Sequence, residues 1–245
     1  MASPLLNTVF QSIPWVMPEE PAIITRFFEE KGRKAKYPKG ANIPHGPQGD
    51  SVSLVTKGAV FFGYFDSEDR FQVFNIILSG RTIGDFEAMA DDRSDTPAYP
   101  ILAKCVRPTE VLAVTRGEFL GFLRASEPAL EAFSRSVIRR HHCTMEGMIC
   151  NYTLPVDMRL WIFLYALISA HYSVTPGGWN PVPIALTVSD IATVVACNRS
   201  WLSRTISGWT SVGLAKKDGR FLLIHSDLLE GLGPEKGRTA ASGIA

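Results

Sequence analysis

The residues best suited to chemistry lie late in the chain. Arg199, Ser200, Ser203, Arg204 and Ser207 recur at offsets of 0, 1, 4, 5 and 8, a spacing that gathers them on one face of an α-helix. Leu202, Ile206 and Trp209 fall on the opposite face, which is apolar. The polar face holds two guanidiniums, three hydroxyls and no acid. A guanidinium can donate two parallel bonds to guanine O6 and N7, and a serine hydroxyl reaches bases or phosphates. Just beyond, Leu214–Lys217 and Arg220–Ile224 are short β-rich runs joined by Asp218-Gly219, a strong hairpin signal. Lys216, Lys217 and Arg220 make the hairpin basic. Between 186 and 220 five basic residues face only Asp190 and Asp218, whereas the whole chain carries a net charge of +1. The bland alternative is that these cations form a solvated face and contact nothing.

Local signals position this face. Thr187-Val-Ser-Asp190 is a capping-box-like helix start. Ile191, Val194 and Val195 then form an apolar side, Ala196-Cys197 is a short stop, and Asn198 is a good N-cap for the helix that carries the arginines. Gly213 suits its end. Helix, tight turn, helix and β-hairpin is the order of a winged helix-turn-helix.

Upstream the patterning differs. Residues 1–20 hold three prolines and read as an extended arm. A helix is predicted from Pro21, with Ile23, Ile24, Phe27 and Phe28 at helical spacing, ending at Tyr37-Pro38-Lys39-Gly40. From Tyr37 to about Phe119, β-rich runs (Ser51–Thr56, Ala59–Phe65, Phe71–Leu78, Ile101–Val106, Glu110–Thr115) alternate with turn residues, which predicts an antiparallel sandwich or small barrel. Residues 118–124 read as a short helix. A long helix follows from Pro128 to Pro155, about 26 residues and roughly 39 Å. Ile138, His142, Met145, Ile149 and Tyr152 mark it at steps of 4, 3, 4 and 3, a heptad-like seam for a second copy; the alternative is one helix packed within its own chain. Leu160–Ala170 is a nearly all-apolar helix. Thr175–Pro183 reads as turn, too proline-rich for regular structure. The tail from Gly231 to Ala245 is small and polar. The expected division is 1–127, 128–155 and 156–245.

With 245 residues, 46% hydrophobic and 20% charged, the chain can bury a core unaided. The first 25 residues contain no Lys or Arg, and the longest apolar run is about half of a membrane span. These features predict a soluble, cytoplasmic protein with no membrane partner. Cys105, Cys143, Cys150 and Cys197 form no C-x-x-C pair, against a zinc knuckle or dithiol redox motif. A redox switch through Cys143 and Cys150, seven apart on one helix face, is the alternative to inert thiols. Of five histidines only His45 falls in the β-rich region, so a metal-binding jelly-roll enzyme lacks ligands there. There is no P-loop, G-x-G-x-x-G or G-x-S-x-G, and no enzyme is expected.

The stretch Leu186-Thr-Val-Ser-Asp-Ile-Ala-Thr-Val-Val-Ala-Cys-Asn-Arg-Ser-Trp-Leu-Ser-Arg204 resembles the helix-turn-helix signature of the CRP/FNR family of bacterial transcription regulators. Tyr37-Pro-Lys-Gly40, Thr56-Lys-Gly58 and Ile83-Gly-Asp85 are similar to the family's sensor half. The resemblance implies an N-terminal antiparallel β jelly roll, a long dimerisation helix and a C-terminal winged helix-turn-helix. It also implies a homodimer on a near-palindromic operator in double-stranded DNA, with half-sites about one helical turn apart and RNA polymerase as a partner. Arg199 and Arg204 match the family's two recognition arginines. Ser200 stands where many members have Glu, which removes an acceptor for cytosine N4. Trp201 replaces a small residue, either to touch sugar or a thymine methyl, or merely to pack. The competing reading is a sensor or scaffold module that no longer binds DNA.

The family's cyclic-nucleotide cassette has the form G-E-L … R-S-A, whose Glu accepts from ribose and whose Arg pairs with phosphate. Here Gly84-Asp85 and Arg93-Ser94 echo it, but Asp85 is one methylene shorter and Asp95 follows the serine. The expected Arg position falls near Pro97, and the loop is acidic. Met145 and Glu146 stand where the adenine-contacting pair would be. Classical cyclic AMP binding is therefore disfavoured, with another small effector, or none, left open. The family's iron–sulfur type uses N-terminal cysteines, and none precedes Cys105. Haem would need His141 or His142.

Overall fold

The computed structural model describes residues 13–46, 50–90 and 101–231. The first twelve residues of the expected arm, and the tail beyond Gly231, lie outside the described residues. The chain divides into two compact units. One is Val16–Thr144; the other is Met145–Ala245 together with Met1–Trp15.

In the first unit, alternating apolar residues make two antiparallel sheets. One has strand order β1 (Arg33–Tyr37), β7 (Thr109–Thr115), β2 (Ser51–Lys57), β5 (Arg81–Ile83). The other has order β4 (Phe71–Ile77), β3 (Val60–Phe65), β6 (Leu102–Cys105). Met17, Ile43, Val55, Val60, Ile77, Ile83 and Val111 form one core cluster of this β-roll. A second cluster joins Val52, Leu54 and Val114 to helical residues. These are Ile24 and Phe28 of α1 (Ala22–Lys31), Phe119 and Leu123 of α3 (Arg116–Ala125), and Ala129 and Phe133 of α4 (Glu127–Thr153). Helix α3 starts at a full capping box: Thr115 Oγ1 accepts from Glu118 N and Glu118 Oε2 accepts from Thr115 N.

One sequence expectation fails here, and one strand was not predicted. The first helix stops at Lys31, short of Tyr37, and Arg33–Tyr37 is the edge strand β1. Gly32 makes the change of direction: a Cβ there would lie 2.5 Å from Phe28 O and 2.7 Å from Leu112 Cβ. The strand's lysines hid its period, yet lysine is what an open sheet edge favours. Strand β5 escaped notice because three residues are too few to show alternation.

Helix α4 carries two stripes. Ala129, Phe133, Ser136, Arg140, Cys143, Gly147 and Cys150 recur at steps of 4 and 3 and are buried. Ile138, His142, Met145, Ile149 and Tyr152 recur likewise and are exposed, Tyr152 at 84%. The two stripes are offset by two residues, about 200° around a helix, so they lie on nearly opposite sides. Cys143 and Cys150 belong to the buried stripe and are each 0% exposed. Burial, with Glu146 adding to it, pushes the Cys150 thiol up to about 12, so it behaves as an inert packing group.

In the second unit α5 (Val156–Ser169) is buried on all sides from Leu160 to Ile168. Trp15 packs edge-on to Phe163, and Trp161 Nε1 donates to Leu228 O at 3.1 Å. Trp179–Pro181, read from sequence as turn, is strand β8. It lies at the edge of a three-stranded sheet of order β8, β10 (Phe221–His225), β9 (Ala215–Asp218). An edge strand tolerates Pro181. The Asn180 side chain folds the preceding turn, accepting from Thr175 N at 2.7 Å. Among the described residues no helix is long and apolar enough to cross a membrane.

Candidate nucleic-acid interface

Helices α6 (Val188–Val194) and α7 (Arg199–Ser211) form the helix-turn-helix. Thr187 and Asp190 cap α6 reciprocally: Thr187 Oγ1 accepts from Asp190 N at 3.1 Å, and Asp190 Oδ2 accepts from Thr187 N at 2.8 Å. Asn198 Oδ1 caps α7 by accepting from Ser200 N at 2.7 Å. Between them Ala196 sits at φ +49°, the left-handed conformation that sharpens the turn and that an L residue adopts only at a cost. Gly213, at φ +75°, follows the end of α7.

The faces of α7 separate as the spacing predicts. Leu202 is 0% exposed and Ile206 6%, while Arg199, Ser200, Ser203, Arg204 and Ser207 are all exposed. Trp209, expected in the core, is only partly buried, and so is Trp201. The hairpin pairs Asp218 with Phe221 and Lys217 with Leu222. Its cations differ. Lys216 Nζ lies 4.1 Å above the Trp179 ring and the Arg220 guanidinium 5.5 Å from the Phe221 ring; Lys217 is exposed. A cation over an aromatic face is attracted by the ring quadrupole, by about 0.5–1 kcal/mol at exposed sites such as these. The unit therefore presents arginines and hydroxyls on one helix and exposed cations on the adjoining hairpin, an arrangement suited to base edges flanked by phosphates.

The sensor candidates fare differently. Gly84, at φ +85°, caps α2 (Asp85–Met89); a Cβ there would lie 2.8 Å from Ser51 O. Asp85 is 2% exposed and is engaged from within its own unit, where Arg140 Nη2 donates to Asp85 Oδ2. Arg140 Nη1 donates to Thr82 Oγ1 at 3.2 Å and lies 3.5 Å from Glu20 Oε1. Thr82 Oγ1 donates to Glu20 Oε1 at 2.8 Å and Ser136 Oγ to Glu20 Oε2 at 2.7 Å. The guanidinium also stacks on Phe86, 5.0 Å from its ring centre. Burial works against the Arg140 charge, but Asp85 and Glu20 outweigh it and hold the group more firmly protonated than usual. Nearby, burial raises the Glu87 carboxyl despite His45, whose Nε2 lies 3.8 Å from Glu87 Oε1. Arg93 and Ser94 lie outside the described residues. Met145 is exposed and Glu146 partly buried, both in the second unit. His141 and His142 are exposed, and among the described residues no group of three His, Cys, Asp or Glu side chains could hold a metal.

Sequence reasoning missed Arg140, Glu20, Thr82 and Ser136. Their one signal was the placement of Ser136 and Arg140 four apart on the buried stripe of α4.

No family model matches the chain, and no curated protein does. Solved structures do. FixK2 from Bradyrhizobium japonicum aligns with TM-score 0.66 and 17% identity over 79% of this chain and 92% of that one. CLP, the c-di-GMP responsive global regulator of Xanthomonas campestris, aligns with TM-score 0.63 and 18% identity over 83% and 98%. A regulator of the crp/fnr family from Eubacterium rectale aligns with TM-score 0.59 and 16% identity over 92% and 97%. The chain has the fold of the CRP/FNR transcription regulators, with an N-terminal antiparallel β-roll, a long helix and a C-terminal winged helix-turn-helix.

Proposed function

We propose that this protein is a sequence-specific DNA-binding transcription regulator of the CRP/FNR type. It acts as a cytoplasmic homodimer on a near-palindromic operator, in concert with RNA polymerase. The observation that carries this reading is the α7 face: Arg199, Ser200, Ser203, Arg204 and Ser207 exposed, opposite buried Leu202 and Ile206. Arg199 and Arg204 read base edges, and Lys216, Lys217 and Arg220 touch phosphate. The exposed stripe Ile138, His142, Met145, Ile149 and Tyr152 supports pairing of two copies along α4, because four of its five residues are large apolar or aromatic groups at coiled-coil spacing, and a contiguous exposed apolar patch marks an interaction surface. Residues 1–127 serve as sensor and 156–245 as reader, joined by 128–155.

Operator selection followed by titration at two salt concentrations tests the reading. Arg199→Ala and Arg204→Ala should each cost about 1–3 kcal/mol on the selected site and relax one base pair per half-site. Changes at Lys217 or Arg220 should weaken all sequences alike and flatten the salt dependence. A chain that binds no DNA at low salt is a sensor or scaffold module instead. Equal losses on selected and random DNA for Arg204→Ala would make Arg204 a phosphate contact.

A further inference from the structure

Helix α6 ends at Val194, and a helix end leaves carbonyls without intrahelical donors. Those of Ile191, Ala192 and Thr193 are met by backbone N–H groups of the turn, from Val195, Cys197 and Ala196. The next three are met by side chains from other elements. Asn151 Nδ2, in the last turn of α4, donates to Val194 O at 3.0 Å. Arg159 Nη1, in the first turn of α5, donates to Val195 O at 2.8 Å and Ala196 O at 3.2 Å. The same nitrogen lies 3.4 Å from Asn151 O, a carbonyl at the C-terminal end of α4. One guanidinium thus stands at the negative ends of two helices, where a cation is favoured. Burial raises the Cys197 thiol, with Arg159 pulling against it, so the same charge lies beside the turn's last residue before the α7 cap.

We infer that Arg159 and Asn151 bolt the helix-turn-helix turn to the end of α4, so that α6 and α7 move as one piece with the last turn of the long helix. Leu154-Pro155 breaks the helix and by itself would be a hinge. The bolt spans that break, because Arg159 follows it and holds a carbonyl that precedes it. Arg159 is accordingly a positioning residue: it touches no DNA, and it sets the angle at which α7 is presented. The bolt does not depend on DNA binding; its consequence for operator reading rests on the function proposed above.

Hydrogen exchange on the full-length, DNA-free protein tests the bolt, and DNA titration tests its consequence. In Arg159→Met, amides of 150–154 and of 194–198 should both exchange about tenfold faster, with β2 and β7 amides unchanged as the control for folding. Arg159→Lys, which keeps a cation, should fall between. Selected-operator affinity should drop about tenfold in Arg159→Met, with random-DNA affinity unchanged because the hairpin cations are intact; a merely structural loss would lower both. If Arg159→Met also disturbs β2 and β7, Asn151→Ala decides, with a smaller rise expected in the same two segments. Acceleration in one segment only, or in neither, overturns the bolt. Acceleration in both with unchanged operator selectivity overturns its positioning role. If the native protein binds no DNA, the proposed function fails while the exchange result still decides the bolt.

Discussion

Replacing Arg140 with Met isolates what the buried cation does for the β-roll unit. The change removes the pair with Asp85, the bond to Thr82 at 3.2 Å and the approach to Glu20 at 3.5 Å. It leaves an apolar stem against Phe86 and Phe133, which the guanidinium now covers. Asp85 and Glu20, with side chains 2% and 0% exposed, then lie in the interior with their strongest counter-ion gone, Glu20 keeping only its weaker interaction with Arg81. Breaking a buried pair from one side costs about 3–5 kcal/mol. A sum over contacts agrees: a hydrogen bond to a charged group is worth about 1.5–3 kcal/mol, and the guanidinium makes two, to Asp85 and to Thr82. Each kcal/mol lowers the midpoint of a protein this size by about 2–4 °C, so Arg140→Met should melt roughly 10 °C below the native chain. Thermal unfolding followed by circular dichroism reads this directly. The triple variant with Asp85→Asn and Glu20→Gln should recover most of the loss, since the new amides carry no charge, and the Gln carbonyl still accepts from one of the Thr82 and Ser136 hydroxyls while its NH2 donates to the other. A loss below about 1 kcal/mol, within the range of ordinary surface changes, or a triple variant no more stable than Arg140→Met, would refute the view that the carboxylates depend on Arg140.

Two further outcomes concern single residues. Burial raises the Glu87 carboxyl above its ordinary 4.5, with His45 opposing. The folded chain therefore holds this proton more tightly than the unfolded one, and the stability it contributes is complete below pH 4.5 and lost as pH rises through the raised value. Glu87→Gln should be more stable than the native chain at neutral pH, with the gain vanishing towards pH 4.5 in urea midpoints measured across that range; a gain that grows on acidification would contradict this. Ala196→Gly relieves an L residue at φ +49°, worth about 1–2 kcal/mol less the extra backbone entropy of glycine. Its unfolding midpoint should rise, and a fall would show that the Ala196 methyl packs usefully.

The helix-turn-helix was legible because its signals are local. Thr187 with Asp190, Asn198, and Asp218-Gly219 each act within a few residues, and each falls at the end of an element as its chemistry requires. The exposed stripe of α4 was legible because Ile138, Met145, Ile149 and Tyr152 announce a period. Its buried stripe was not, since Ser136, Arg140 and Gly147 are residues that no apolar pattern selects. Strands β1, β5 and β8 were lost to shortness or to edge composition. The Arg140 cluster joins positions 20, 82, 85, 136 and 140, and only the closed fold brings those together. Arg159 had no signature at all, because its partners are backbone carbonyls, which every residue possesses.

The same cluster decides what Asp85 can do for a ligand. The family resemblance assigns this position to accepting a bond from a ribose hydroxyl. Here the carboxylate already accepts from Arg140 and is 2% exposed. A hydroxyl that displaced Arg140 would gain about 0.5–1.5 kcal/mol as a typical hydrogen bond, against about 3–5 kcal/mol for stranding a buried charge. The exchange is unfavourable unless the ligand also supplies an acceptor to Arg140. Cyclic AMP bound in the usual way, with its ribose on Asp85, should therefore show no heat of binding at micromolar concentrations in calorimetry on the native chain. Asp85→Ala should not change that result, although the variant should be destabilised by the loss of the Arg140 pair. A micromolar dissociation constant for cyclic AMP that Asp85→Ala abolishes would show that Arg140 yields to the nucleotide and that the cluster is a displaceable plug.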